Sequence, residues 1–125
     1  MFKAHLYWVR DVEFSSDSKF IASGDDDNLV KIWDLDGNEL MRFIWHLDWI
    51  LKVRFSEDDK FIISGSFDYS IKIWSLEDRC EKFGFYLPND SAYSLALVSN
   101  GKYIGVQYKI QYLMVFKISY DRYIL

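Results

Sequence analysis

The feature that most constrains this chain is an internal repeat. When the sequence is shifted by 41 residues, the stretch SGDDDNLVKIWDL at residues 23–35 overlies SGSFDYSIKIWSL at residues 64–76. The match starts with His5 over His46 and continues without a gap. A fixed period of roughly 20–50 residues is typical of chains that stack one supersecondary unit on the next, because a single unit cannot bury its apolar face alone.

A third and more divergent copy follows at an offset of 42 residues from the second. The segment KFI at residues 60–62 corresponds to KYI at residues 102–104. The sequence therefore predicts a single domain with three repeats: repeat one at residues 5–45, repeat two at residues 46–86 and divergent repeat three at residues 87–125.

Each copy contains four short apolar runs separated by turn residues. In repeat two the runs are WILKVRF, KFIISGS, SIKIW and CEKFGF, with polar segments such as SEDD and SLEDR between them. Short runs rich in β-branched and aromatic residues, bounded by turn residues, predict a meander of four strands. The inner runs are apolar on both alternating faces, as expected when neighbouring sheets cover both sides. We therefore predict an all-β fold of stacked four-stranded antiparallel sheets.

Composition narrows the classes of partner and location. Half of the 125 residues are apolar, 19% are aromatic and the formal net charge is −4. Without a Lys/Arg cluster the chain lacks the basic surface that a phosphate backbone requires, so nucleic acid is not an expected partner. No run approaches the ~18 apolar residues of a membrane span, and no signal peptide is evident. With Cys80 as the single cysteine, we expect a soluble cytoplasmic protein, with the nucleus as an alternative, and no membrane partner.

The repeats resemble those of the WD-repeat (WD40) β-propellers. That family has a period of roughly 40–45 residues and a Trp-Asp dipeptide, which here reads Trp33-Asp34 in repeat one and Trp74-Ser75 in repeat two. The resemblance covers nearly the whole chain. It implies a propeller segment of three four-stranded antiparallel blades, which is an incomplete ring because propellers close with about 4–8 blades.

The resemblance also implies a hydrogen-bonded tetrad in each of the first two repeats. In the family, a His, a Ser or Thr, an Asp and the Trp tie the loop before a blade to its central strands. The matching positions are His5, Ser23, Asp27 and Trp33 in repeat one, and His46, Ser64, Asp68 and Trp74 in repeat two. Repeat three has apolar residues at these positions. Buried polar groups cost free energy unless they are paired, so a closed set of this kind is expected to be structural.

The same residue types permit a catalytic alternative, a hydrolase that uses His5, Ser23 and Asp27. The serines lie inside strand runs and lack the G-x-S-x-G turn that exposes a nucleophile, and two equivalent sets at repeat spacing favour a framework. No catalytic residue is therefore expected. The segment DLDGN at residues 34–38 resembles the start of a calcium loop, but Glu39 stands at the required Gly position and Trp45 at the position of the bidentate Glu. We expect no metal and no cofactor.

The resemblance implies a binding face made by the loops before the innermost strands and by the turns before the tetrad Asp. Aromatic and Arg side chains anchor interfaces. The candidate partner-binding residues are Trp8, Arg10, Asp26, Trp49, Leu51, Phe67, Tyr93 and Lys109. The alternative for Trp8 and Trp49 is that they pack between blades.

The function predicted from these features is a WD-repeat scaffold that binds partner proteins or peptides and assembles into larger complexes. The alternatives are the hydrolase and a truncated propeller remnant without independent function. Three blades would leave two bare end faces, lined by residues such as Trp33 at one end and Leu113 and Val115 at the other. We therefore expect a homo-oligomer, or a ring that another chain completes with further blades.

Overall fold

The structure is a computed structural model that describes residues 1–44, 46–86, 95–99, 103–108, 112–118 and 123–124. Within these ranges the chain forms twelve strands: β1 Val9–Phe14, β2 Phe20–Asp25, β3 Val30–Asp34, β4 Glu39–Phe43, β5 Ile50–Phe55, β6 Phe61–Ser66, β7 Ser70–Ser75, β8 Cys80–Tyr86, β9 Leu95–Ser99, β10 Tyr103–Tyr108, β11 Tyr112–Ile118 and β12 Tyr123–Ile124.

Consecutive strands pair in antiparallel sheets. The first sheet has the order β1-β2-β3-β4 and the second the order β5-β6-β7-β8. Strands β9 to β12 also pair in chain order, and β9 lies beside β5 of the second sheet. The prediction of an all-β chain with four-stranded antiparallel meanders is confirmed by the first two sheets. That the third group of strands forms a third propeller blade stays a prediction.

The first two sheets are equivalent down to their irregularities. The register between β1 and β2 shifts between Val9 and Asp11, and the register between β5 and β6 shifts between Ile50 and Lys52, at the same place in the repeat. A bulge changes the direction in which the neighbouring side chains point. Because both bulges lie at the start of an innermost strand, the two repeats present their preceding loops in the same way.

Short polar side chains hold the turns that join the strands. Between β1 and β2, the Ser15 hydroxyl donates to the Asp17 carboxylate at 2.6 Å, and Ser18 adopts a φ of 61°. The turn between β5 and β6 repeats this contact with Ser56 and Asp58, also at 2.6 Å. Asp and Ser side chains that bond to nearby groups are typical of tight turns. These turns lie where the polar segments of the sequence predict them.

The main core fills the space between the first two sheets. The first sheet contributes Ala22, Val30, Ile32 and Phe43, and the second contributes Ile50, Val53, Phe55, Ile62 and Trp74. The side chain of Ile50 packs closely against Gly24, where an added Cβ would lie 2.3 Å from Ile50 Cγ2. Burial of apolar area at this interface is the main force that holds the sheets together.

The opposite face of the first sheet is open at its innermost strand. Val12 and Phe14 on β1 are each 59% exposed. Their equivalents on β5, Val53 and Phe55, are 0% and 6% exposed, because the first sheet covers them. The same residue types at the same repeat positions therefore differ in exposure because only the second pair has a sheet packed against it.

Trp33 does not line this open face, so that expectation is wrong. Its indole is 6% exposed, and the Phe2 ring covers it with a centroid distance of 5.2 Å. Phe2 occupies the repeat position of Phe43, which stacks on Trp74 in the next sheet. The N-terminal residues thus lie where the outer strand of a preceding sheet would end. Val115 on β11 is exposed, and the side chain of Leu113 lies outside the described residues.

Candidate functional site

A closed polar network in repeat two joins the loop before β5 to strands β6 and β7. His46 Nε2 lies 2.6 Å from Ser64 Oγ, and Trp74 Nε1 donates to the same oxygen at 2.8 Å. On its other side, His46 Nδ1 lies 3.0 Å from Asp68 Oδ2. The structure thus brings together the four residues that the sequence places in the second tetrad.

One tautomer of His46 satisfies every atom of this network. The Asp68 carboxylate can only accept, so Nδ1 carries the proton, and Nε2 then accepts from the Ser64 hydroxyl. Burial would by itself raise the pKa of Asp68. The hydrogen bonds from His46 and Ser70, with the backbone N–H of Leu47, instead hold the pKa of Asp68 well below its ordinary value. Asp68 is therefore a buried, fully paired carboxylate.

The network in repeat one has the same plan but a different carboxylate. His5 Nε2 lies 2.6 Å from Ser23 Oγ, and Trp33 Nε1 donates to Ser23 at 2.8 Å. The partner of His5 Nδ1 is Asp25 Oδ2, at 2.5 Å. The placement of Asp27 in this tetrad is thus corrected: its side chain is exposed, and its backbone N–H donates to Asp25 Oδ1 at 2.9 Å.

Strand alternation explains this exchange. Ser23 and Asp25 are two residues apart on β2, so their side chains point to the same face of the sheet. In repeat two the position of Asp25 is taken by Ser66, whose hydroxyl accepts the N–H of Asp68 at 3.1 Å instead. The alternation of side chains along β2 therefore indicates Asp25 as the partner of His5, whereas the alignment of the two repeats indicates Asp27. Burial lowers the pKa of His5 despite the neighbouring Asp25, so this imidazole is neutral near pH 7.

A second group of residues surrounds Arg10 at the surface. The Arg10 guanidinium forms a two-point ion pair with the Asp26 carboxylate, in which Nη2 lies 2.7 Å from Oδ2 and Nε contacts Oδ1. Its carbon lies 4.5 Å from the ring centroid of Trp49 and 5.4 Å from that of Trp8. Arg10 therefore contacts aromatic rings from both repeats while its charge is paired with Asp26. The hydrogen bond from Arg10 to Asp26 raises the pKa of Arg10 further above neutrality.

Trp49 continues this surface into repeat two. Its ring centroid lies 5.8 Å from that of Phe67, which in turn lies 6.3 Å from that of Tyr69. We name the set Trp8, Arg10, Asp26, Trp49, Phe67 and Tyr69 the loop face. Trp8 is 74% exposed and Trp49 is 41% exposed, so neither lies in the core between the first two sheets.

Backbone hydrogen bonds fix the loop face in the same way in both repeats. The N–H of Asp26 donates to the carbonyl of Trp8 at 3.0 Å, and the N–H of Phe67 donates to the carbonyl of Trp49 at 2.8 Å. Each bond ties a loop before an innermost strand to the turn after the second strand. Of the other candidates, Leu51 is half-buried on β5, while Tyr93 and Lys109 lie outside the described residues.

Comparison with known proteins decides the family. A family profile described as "WD domain, G-beta repeat" matches residues 1–34 and 37–75, which is more than half of the chain. The chain belongs to the WD40 repeat family. This confirms the resemblance seen in the sequence. None of the curated proteins compared matches the chain.

Solved WD40 structures share the fold. The chain is similar to the structure titled "Crystal structure of RRP9 WD40 repeats", with a TM-score of 0.83, 18% identity and coverage of 98% of this chain and 39% of that one. It is also similar to the β-propeller domain of Cps50 (Swd1) from "Myceliophteria_thermophila", with a TM-score of 0.78, 20% identity and coverage of 92% and 36%. The chain therefore spans less than two fifths of the length of these WD40 structures.

Paired carboxylates on β1 link the two WD40 repeats at their innermost strands. Asp11 Oδ2 accepts the backbone N–H of Val53 at 3.0 Å, and Glu13 Oε1 accepts that of Phe55 at 3.1 Å. Arg54 bridges both carboxylates at 2.7 and 3.0 Å. Burial raises the pKa of Glu13, although the Phe55 N–H and the Arg54 charge oppose this shift. The sequence analysis did not predict this contact. Its signal in the sequence is a reversal of charge at equivalent positions, from Asp11 and Glu13 in repeat one to Lys52 and Arg54 in repeat two.

The described part of this WD40 chain contains neither a candidate metal site nor a helix that could cross a membrane. No group of three or more His, Cys, Asp or Glu side chains there is arranged to hold a metal ion. Among the same residues, no helix is long and apolar enough to cross a bilayer.

Proposed function

We propose that this WD40 chain is a protein-interaction scaffold that binds partner proteins or peptides through its loop face. The observation that carries the proposal is the convergence of Trp8 and Trp49, from equivalent loops of two repeats, on the single guanidinium of Arg10. Exposed Trp, Tyr and Arg side chains held in place by backbone contacts are the residue types that dominate binding energy at interfaces. Pre-ordering also lowers the entropy lost on binding.

The buried networks favour this function over a hydrolase. A nucleophilic serine must reach its substrate, whereas Ser23 and Ser64 are buried and each already accepts an indole N–H. Their hydroxyls therefore have no free path to a carbonyl carbon. The two networks instead anchor the loops that carry Trp8 and Trp49, which makes His5 and His46 positioning residues for the loop face.

Assembly into a larger propeller is the second part of the proposal. Strands β9 to β12 form its third blade, and a further blade, from a second copy or from another chain, covers the open face of the first sheet. The contrast between exposed Val12 and Phe14 and buried Val53 and Phe55 supports this, because the equivalent positions are covered as soon as a sheet precedes them. Large exposed apolar areas favour association. In this scheme the partners are proteins in the cytoplasm or nucleus rather than nucleic acid or membranes.

Capture of partners by the full protein tests the proposal. Partners retained by the wild type should be lost with Trp49→Ala and kept with Glu39→Ala. Glu39 lies on outer strand β4 and pairs there with Arg42 at 2.7 Å, so it provides a matched loss of surface contacts away from the loop face. If Glu39→Ala removes the partners and Trp49→Ala does not, the chain binds through its outer strands instead.

A further inference from the structure

The charges around the loop face are strongly one-sided. The two loops before the innermost strands, residues 5–8 and 46–49, and the two turns after the second strands, residues 25–29 and 66–70, contain five aspartates and no Glu, Lys or Arg. The side chains of Asp25 and Asp68 are buried against the two histidines, so the acidic groups nearer the surface are Asp26, Asp27 and Asp48. Arg10, at the start of β1, reaches into this region as a cation. An acidic surface rich in aromatic rings attracts cations and repels anions.

Arg10 shows how this surface holds a guanidinium. Asp26 accepts two N–H groups from one edge of the group, and the rings of Trp49 and Trp8 lie within 5.4 Å of its carbon. Planar two-point pairing combined with contact to aromatic rings is the recognition mode that suits arginine better than lysine. The set Asp26, Trp8 and Trp49 is therefore an assembled guanidinium site that is filled by a side chain of the same protein.

This internal occupant lies where another guanidinium can reach the site. The Arg10 side chain is 31% exposed and that of Asp26 is 13% exposed, so the pair lies at the rim of the protein rather than in its core. Neither side chain belongs to the core between the first two sheets. Arg10 could therefore swing away without unfolding the sheets, since β1 is held by its pairing with β2 and by the contacts of Asp11 and Glu13.

We propose that the loop face recognises a basic side chain of its partner, an arginine before a lysine, and that Arg10 occupies this site until the partner's arginine replaces it. The inference rests on the proposed function, because it names the chemistry that the same face binds. The partner is then a peptide or protein segment that presents an exposed arginine. Phe67 and Tyr69, next to Trp49, contact the side chains on either side of that arginine.

Binding of a defined probe tests the inference. The probe is acetyl-Ala-Arg-Ala-amide, and its control is the citrulline peptide, which has the same shape without the charge. Tryptophan fluorescence of the full chain reports binding. A tethered competitor acts at a high effective concentration, so Arg10→Ala should bind the arginine probe on the order of tenfold more tightly than the wild type. The gain should be absent for the citrulline peptide.

Two further variants make the result specific. Arg42→Ala removes an exposed arginine that pairs with Glu39 on β4, and its affinity for the probe should equal that of the wild type. Adding Asp26→Asn to Arg10→Ala should abolish the gain. An unchanged affinity in Arg10→Ala, an equal gain in Arg42→Ala, or a gain that survives Asp26→Asn would each overturn the inference.

A measurement on the wild type covers the case in which Arg10→Ala does not fold. Excess arginine probe should shift the Arg10 Nε–H resonance, while the citrulline peptide should not; an unmoved resonance at saturation overturns the inference. The proposed function is tested by a separate result. If partner capture depends on Trp49 but the probe effects are absent, the arginine inference is wrong and the loop face remains the proposed binding surface. If partner capture does not depend on Trp49, the proposed function is wrong whatever the probe shows.

Discussion

Phe43, at the end of the first sheet, stacks on Trp74 of the second with ring centroids 4.8 Å apart and an interplanar angle of 27°. Trp74 is also the indole that donates to Ser64 in the buried network. One side chain therefore joins the packing between sheets to the polar contacts within a sheet. The order of the loop face depends on this junction, because the same network holds the loop that carries Trp49.

Phe43→Ala should destabilise the protein strongly. Loss of a buried Phe typically costs about 3–5 kcal/mol, since the cavity left behind adds to the lost apolar burial. Phe2→Ala is the matched control at the equivalent repeat position, where the ring covers Trp33 but is about half exposed, and we expect a smaller loss. Denaturant unfolding of both variants measures the difference. Equal losses would contradict the view that the interface between the sheets is the main core.

The assignment of Asp25 to the first network predicts a contrast between neighbours. Asp25→Ala should cost about 1–3 kcal/mol, because it leaves Nδ1 of the buried His5 without its hydrogen-bond partner. Asp27→Ala should stay within about 0.5 kcal/mol, as is usual for exposed positions. In repeat two, His46→Ala and Asp68→Ala should each cost about 1–3 kcal/mol. Thermal or denaturant unfolding gives these values. A larger loss for Asp27→Ala than for Asp25→Ala would contradict the assignment of Asp25 to the first network and favour Asp27.

The pKa shift of His5 predicts a loss of stability in mild acid. Because burial holds the folded-state pKa of His5 below its ordinary value of 6.5, the unfolded chain binds more protons between these two values. The free energy of unfolding should therefore fall as the pH drops through about 6.5. Unfolding of the wild type and of His5→Gln at pH 7.5 and pH 5 measures this contribution. A pH dependence of equal size in both proteins would contradict it.

The lowered pKa of Asp68 acts in a more acidic range. Its folded-state pKa lies below the ordinary value of 3.8, so its contribution is complete above that value and is lost as the pH falls below it. Asp68→Asn should therefore flatten the stability profile below about pH 4. Denaturant unfolding of the wild type and of Asp68→Asn across this pH range measures the difference. Equal pH dependence in the two proteins would contradict the prediction.

Close packing of the Ile50 side chain against Gly24 predicts that even one methyl group at this position is harmful. A Cβ at this position would lie 2.3 Å from Ile50 Cγ2, and overpacking of a core of this kind costs about 1–3 kcal/mol. Gly84→Ala is the control: its Cβ would meet the Glu81 carboxylate at 2.4 Å, which is the movable end of a flexible side chain. Unfolding energies should therefore drop for Gly24→Ala and change little for Gly84→Ala.

The repeat in the sequence was enough to predict most of the fold. The strand runs and the turns at Ser15 and Ser56 follow from alternation and turn chemistry, which act over a few residues. The choice between Asp25 and Asp27 depended on which way a strand faces at its end, and repeat alignment does not report this. The cover of Trp33 by Phe2 was missed because it is a contact between distant segments, although the spacing from Phe2 to Phe43 matches the repeat.

Most members of the loop face could be predicted from the sequence but their arrangement could not, and binding through this face stays a prediction. Trp8, Arg10, Asp26, Trp49 and Phe67 were placed together through the family resemblance. That Arg10 contacts both indoles while it pairs with Asp26 depends on side-chain packing across two repeats, which no single repeat encodes. The carboxylates of Asp11 and Glu13 were likewise unremarkable in the sequence, since charged residues on a strand are usually assigned to solvent.

The most direct test of this account is the affinity of a captured partner for four single variants of the full protein. We predict that Trp49→Ala and Phe67→Ala weaken binding about tenfold or more, as loss of an anchoring aromatic residue does. Glu39→Ala and Glu81→Ala, on the outer strands β4 and β8, should change it less than about twofold. Isothermal titration with equally stable proteins gives the four values. A larger loss for the outer-strand variants than for Trp49→Ala and Phe67→Ala would contradict the central claim that the loop face is where this WD40 chain binds.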